Sequence, residues 1–177
     1  MHYITIDIET TGLDVTKESP IQMAMLVTDE RFRVKEEICF YIKQHRLNPK
    51  ITEITGITLE RLLSEGIPMS QAANNYHSII WRYHPVILIG YNILNFDFPM
   101  IQNWLVRNIP GRFKHPPLLA VEDVMFYCCQ FFGQKKWPKL ADAGRKLSIE
   151  FAPEDLHDAM ADVRLTWEVW KKIRVER

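Results

Sequence analysis

The alternation in Tyr3-Ile4-Thr5-Ile6-Asp7-Ile8-Glu9 constrains this chain more than any other stretch. Ile4, Ile6 and Ile8 alternate with Thr5, Asp7 and Glu9, which is the period of a β-strand with one apolar face. Side chains two apart on a strand point the same way. Asp7 and Glu9 therefore project together, with Thr5 in line behind them. Two adjacent carboxylates repel each other, and burying them costs more. A divalent cation between them removes both problems, and hard oxygen ligands suit magnesium or manganese. A solvated face of an edge strand accounts for the same pattern. The rest of the chain decides between the two, by bringing further carboxylates to the same point or by failing to.

The strand runs into Thr10-Thr11-Gly12 and a polar loop up to Pro20. Ile21 to Thr28 reads as a buried strand and Val34 to Ile42 as the next, paired as antiparallel hairpins because their connections are short. Asn48-Pro49 punctuates the chain. Lys50 to Thr55 is a short helix stopped by Gly56, and a second begins at Thr58. A longer helix starts around Pro68 and Ser70, with Ser70 as N-cap and a stripe of Ala72, Ala73, Tyr76, Ile79 and Ile80, and ends at Pro85. Val86 to Tyr91 is a central buried strand. Residues 97 to 108 form a helix, Pro110 to Pro117 a loop with Arg112, Lys114 and His115, and Leu118 to Phe126 the last strand. Leu140 to Leu147 and 158 to 174 are helical. This order predicts an α/β fold: a mixed five-stranded sheet, three antiparallel strands followed by two parallel crossovers, with helices on both faces.

Composition narrows the function classes. A chain of 177 residues, 47% apolar and 25% charged, fits one globular domain over 1–177. Lys plus Arg number 22 and Asp plus Glu 22, so net charge is zero and supplies no general attraction for nucleic acid. Metal ions on a carboxylate cluster can still bridge it to phosphates. No run of apolar residues is long enough for a membrane span, and no signal peptide precedes the first strand. Cys39, Cys128 and Cys129 form no zinc or disulfide framework, which favours reduced thiols and the cytoplasm.

Two further acidic regions follow. In Asn92-Ile93-Leu94-Asn95-Phe96-Asp97, the aspartate opens a helix after a buried strand. Helix N-termini favour carboxylates in any case, so Asp97 reads either as a helix starter or as a third member of the cluster. In His157-Asp158-Ala159-Met160-Ala161-Asp162, positions five apart on a helix are separated by roughly 140°. His157 is thus expected just ahead of the helix, around Pro153 to His157, with Asp162 on its first turns. Taken alone, His157 is equally a surface or capping histidine. Lys135, Lys136 and Lys139 flank Trp137 in a loop, which reads as a solvated loop or as a grip on phosphates with a stacking ring.

Together, Asp7-x-Glu9-Thr10-x-Gly12, Asn92-x-x-x-Phe96-Asp97 and His157-x-Ala159-x-x-Asp162 resemble the three motifs of the DEDDh 3′–5′ exonucleases, the family of the bacterial polymerase proofreading subunit. Ile54-Thr55-Gly56-Ile57-Thr58 is similar to a connecting segment of that family, and the resemblance covers nearly the whole chain. Two departures are visible: Tyr91 stands where members often have His, and the Asn-to-Phe-Asp spacing is one residue longer than in many.

The resemblance implies a ribonuclease H-like fold and a metal-dependent exonuclease. It would hydrolyse phosphodiester bonds from the 3′ end of nucleic acid, DNA favoured and RNA possible, releasing nucleoside 5′-monophosphates. It implies two divalent ions, Mg²⁺ or Mn²⁺, held by Asp7, Glu9, Asp97 and Asp162, with His157 as general base. It implies Thr10, Gly12, Leu13, Asn92 and Phe96 as substrate contacts, although Leu13 and Phe96 read equally as core packing. A single-stranded end is the preferred substrate and a polymerase a candidate partner. The rival class is a catalytically silent nuclease-fold module that binds nucleic acid or a polymerase. Asp123 is read as structural.

Overall fold

The protein is described by a computed structural model covering residues 1–108, 118–152 and 158–175. The alternating segment becomes β1 (His2–Thr10), which pairs antiparallel with β2 (Pro20–Asp29). Next to β2, also antiparallel, lies β3 (Val34–Tyr41). On its other side β1 pairs parallel with β4 (Val86–Gly90), and β4 with β5 (Leu118–Asp123). The strand order is β3-β2-β1-β4-β5, the mixed five-stranded sheet expected.

Each face of the sheet carries helices. The short α1 (Pro49–Thr55) and α2 (Leu59–Ser64) lead into α3 (Met69–Tyr83), and α4 (Asp97–Asn108) follows β4. Ile4, Ile6 and Ile8 of β1, with Met23 and Met25 of β2, meet Tyr76 and Ile80 of α3 and Trp104 of α4 in one core. The opposite face packs against α5 (Val124–Phe131), α6 (Leu140–Lys146) and α7 (Ala159–Val175). Tyr3, Ala24, Ile87 and Ile89 form that second core with Val163, Trp167 and Trp170. The strand period thus delivers the isoleucines to one core and aims Asp7 and Glu9 at α7. Full burial of each large apolar side chain contributes about 1.5–3 kcal/mol, so both faces resist any slip of β1. Trp167 and Trp170 stack at 5.0 Å between ring centroids, which makes the tryptophan stripe core.

Three sequence expectations need correction or fall outside the structure. The last strand does not reach Phe126; it ends at Asp123, and α5 begins at Val124. The run Val124-Met-Phe-Tyr-Cys-Cys is apolar throughout and shows no helical stripe, so periodicity could not separate strand from helix. Asp123 itself is the boundary, because its carboxylate accepts from the Met125 N–H as an N-cap. Ser70 does not cap α3; Pro68 takes that place without a side-chain bond, and the helix starts at Met69. The loop at Pro110–Pro117 lies outside the described residues.

The Asp123 carboxylate also accepts from the N–H groups of Asn92 and Leu94. It therefore moors the turn that joins β4 to α4, in which Asn92 adopts φ 61°, a left-handed value that asparagine tolerates better than most residues. This confirms a structural role. Asp123→Ala should lower unfolding free energy by about 2 kcal/mol or more, through a lost cap and buried N–H groups left without acceptors. Urea denaturation of the variant against wild type checks this.

Candidate active site

Pairing of β1 with β4 runs from His2 opposite Val86 to Thr5 opposite Ile89. Beyond Thr5, β1 outruns β4 and its edge is open to side chains. A crevice thus forms at the carboxyl ends of β1 and β4, where the chain leaves the sheet in different directions. Asp97, the first residue of α4, fills the edge from one side. It is buried, and its carboxylate accepts from the backbone N–H groups of Ile8 and of Asp97 itself.

The other carboxylates come from the α7 side. Buried Ala159 lets the start of α7 lie close against the sheet. Asp158 caps the helix, accepting from the N–H groups of Met160 and Ala161 at 3.0 and 3.2 Å. This sets Asp162 one turn inside, opposite Asp7 and Glu9. Carboxylate oxygens of Asp7, Glu9 and Asp162 all lie within 4.8 Å of one another.

Such crowding has an electrostatic consequence. Burial is the largest influence on the Asp7 carboxyl, followed by Asp97, Asp162, Glu9 and Asp158, and all of them push it well above the usual carboxylate range. Glu9 is pushed up to about 8, first by burial and then by Asp162, Asp97 and Asp158. Asp97 is raised by burial, against the pull of its two backbone donors. No cation of the described chain lies among the causes for Asp7 or Glu9. Among the described residues the site concentrates carboxylates with no cation beside them, and oxygen is the donor in each. That chemistry fits hard divalent cations.

The remaining candidates are placed unevenly. Thr10 is buried, and its hydroxyl donates to the Gly12 carbonyl at 2.8 Å, which leaves the backbone as its offering to a ligand. At Gly12 a Cβ would stand 2.9 Å from the Glu18 side chain, so a larger residue there would displace the Glu18 carboxylate that Thr11 bonds. Leu13 is 85% exposed, and packing does not explain it. Phe96 is partly buried against the core of the α3–α4 face. The Asn92 side-chain oxygen accepts from Asn95 at 3.0 Å. His157 and the segment Pro153 to His157 lie outside the described residues.

Sequence reading missed what holds the Leu13 loop. Arg107 of α4 donates to the carbonyls of Thr16 and Glu18, and Asn103 to that of Val15. These partners are some ninety positions away in the chain, and no local pattern marks them. They tie the loop after β1 to the helix that begins with Asp97.

Comparison with known proteins places this geometry. The exonuclease family model (RNase_T) matches residues 4–170. The chain belongs to that exonuclease family. The exodeoxyribonuclease I of Buchnera aphidicola subsp. Schizaphis graminum is 26% identical over 98% of this chain and 39% of its own length. The PolC-type DNA polymerase III of Ureaplasma parvum is 24% identical over 97% of this chain and 11% of its own. Escherichia coli exonuclease I, solved in complex with a dT13 oligonucleotide, superposes with a TM-score of 0.80 at 26% identity, over 98% of this chain and 41% of that one. The chain therefore spans about two-fifths of the exonuclease I relatives it matches, and the ribonuclease H-like fold is shared.

The raised carboxyls fix the sign of a pH effect on the exonuclease domain. Glu9 keeps its proton in the folded state up to about 8, while the unfolded chain loses it near its ordinary value of 4.5. Between those values the unfolded state binds fewer protons, so stability falls as pH rises. In EDTA, Tm should decline across this window, and Glu9→Gln should flatten the decline. Adding Mn²⁺ to wild type at pH 8 should raise Tm. Scanning calorimetry at several pH values checks all three outcomes.

Proposed function

We propose that this chain is a metal-dependent 3′–5′ exonuclease, taken as one domain over 1–177, that removes nucleoside 5′-monophosphates from a single-stranded 3′ end, with DNA favoured over RNA. The observation that carries the reading is the convergence of Asp7, Glu9 and Asp162 within 4.8 Å, with Asp97 closing the crevice from α4. Family membership supports the reaction class. The dT13 complex of the Escherichia coli relative supports single-stranded DNA as substrate. The polymerase relative supports a polymerase as candidate partner, and the thiol content supports the cytoplasm.

Two ions, Mg²⁺ or Mn²⁺, fit the donor set, with Asp7 shared between them, Glu9 and Asp162 completing one and Asp97 holding the other. When bound, such ions supply Lewis acidity to the attacking and leaving oxygens of a phosphodiester. His157 takes the proton from the attacking water. The water oxygen bonds to phosphorus as the P–O3′ bond breaks; the phosphate stays on the 5′ carbon of the released nucleotide, and the O3′ left on the shortened strand takes a proton from solvent. The Thr10 backbone and the Gly12 turn receive the terminal 3′-OH. Leu13, exposed on a loop pinned by Arg107, wedges against the last base, while Asn92 and Phe96 border the sugar and base. A mobile Leu13 could not set register; the Arg107 and Asn103 bonds supply the needed stiffness.

Asp162→Asn removes one ligand charge without changing size. It should abolish nucleotide release from a 5′-labelled oligonucleotide while leaving the melting temperature of the metal-free protein equal or higher. His157→Ala should lower kcat by roughly 10²–10⁴ with little change in KM. Near wild-type turnover by Asp162→Asn at saturating manganese would contradict the assignment. Strand binding without any turnover by wild type would favour the silent-module class.

A further inference from the structure

A basic cleft lies where the loop after α5 runs into α6. It has a volume of about 440 Å³ and is lined by Gln134, Lys136, Trp137, Lys139, Arg145 and Lys146 among others. The one carboxylate in its lining, Asp142, is engaged by Arg145 at 2.9 Å. Lys146 bonds the neutral Gln134 amide at 2.6 Å. Among the described residues, no carboxylate forms an ion pair with Lys136, Lys139 or Lys146. In a chain whose net charge is zero, this is a local excess of cations; the Lys146 ammonium also lies over the Phe132 ring, 4.8 Å from its centroid, and has only neutral partners.

The aromatic at the cleft is set for stacking. Trp137 is 49% exposed, and it rests edge-on against Phe126, itself exposed, with ring centroids 4.8 Å apart. The contact holds the indole in place while about half of it stays exposed. Cations beside an exposed, anchored aromatic form the combination that holds single-stranded nucleic acid without regard to sequence.

The cleft is also bonded to the catalytic crevice. The Tyr91 hydroxyl donates to the Pro138 carbonyl at 2.8 Å. Tyr91 precedes Asn92 in the turn that Asp123 moors and that leads to Asp97. Phe126 lies in the first turn of α5, directly after Asp123. The cleft wall and the crevice wall thus share one mooring.

Resting on the exonuclease reading, we propose that this cleft is the binding site for the single-stranded segment upstream of the 3′ end. Lys136, Lys139 and Lys146 contact backbone phosphates, and Trp137 stacks on a base. The carboxylate crevice holds the terminal nucleotide, and the cleft holds the strand that feeds it. This gives a protein of zero net charge a metal-independent hold on its substrate.

The test compares a long oligodeoxythymidylate with a dinucleotide. In the double variant Lys136→Ala/Lys139→Ala, and separately in Trp137→Ala, KM for the long strand should rise about tenfold, with kcat unchanged. For the lysine variant, the slope of log(1/KM) against log[salt] should shrink by about 0.7 for each lost phosphate contact. The dinucleotide, whose single phosphodiester is the scissile one, has no upstream phosphate to offer the lysines and should show unchanged kcat and KM. An unchanged KM on the long strand, or an equal rise on the dinucleotide, would overturn the proposal. Should wild type hydrolyse neither substrate, the exonuclease reading fails on its own. The cleft is then judged by tryptophan fluorescence in EDTA. Quenching by the long strand that disappears in Trp137→Phe supports it, and quenching that persists overturns it.

Discussion

Carboxylates at the end of β1 repel one another, and the fold holds them together regardless. Asp7 and Glu9 share a face because the strand period allows nothing else. Asp162 is brought to them by α7, and Asp97 by the start of α4, whose carboxylate ties to the Ile8 N–H. Burial adds to the repulsion, so Glu9 titrates near 8 and Asp7 well above its ordinary range. Two apolar cores supply the opposing force. Isoleucines on one face of β1 and tryptophans of α7 on the other keep the strand in register. Such a site destabilises the metal-free protein and is the kind of strain that function retains.

The surroundings of the cluster divide into moorings and walls. Asp123 moors the β4–α4 turn through the N–H groups of Asn92 and Leu94 and starts α5 through that of Met125. Arg107 and Asn103 moor the loop that carries Leu13. Both moorings lead back to α4, the helix of Asp97. Asp97 and the substrate-facing loop are therefore positioned from the same helix, as preorganisation of a site demands.

Much of this was legible in the sequence. Alternation in β1 showed which residues face which core, and the order of strands and helices gave the mixed sheet. The carboxylate members could be paired only by the family resemblance, since Asp97 alone reads as a helix starter and Asp7 with Glu9 as a solvated edge. What stayed illegible has physical causes. The run after Asp123 is apolar on every side, so its helix carries no stripe. Pinning of the Leu13 loop rests on contacts between residues about ninety positions apart. The lysines around Trp137 were visible as a cluster, but the pattern alone left a solvated loop and a phosphate grip both open; that Arg145 and Lys146 of α6 line the same cleft depends on how the loop folds back on the helix.

The account stands on the claim that the cluster is built for divalent cations. Calorimetric titration of Mn²⁺ into metal-free wild type and Asp7→Asn at pH 8 tests it most directly. The account predicts saturable binding to wild type that Asp7→Asn loses or weakens by at least tenfold, because the shared ligand is gone. Equal binding by the two proteins, or none by wild type, would contradict it.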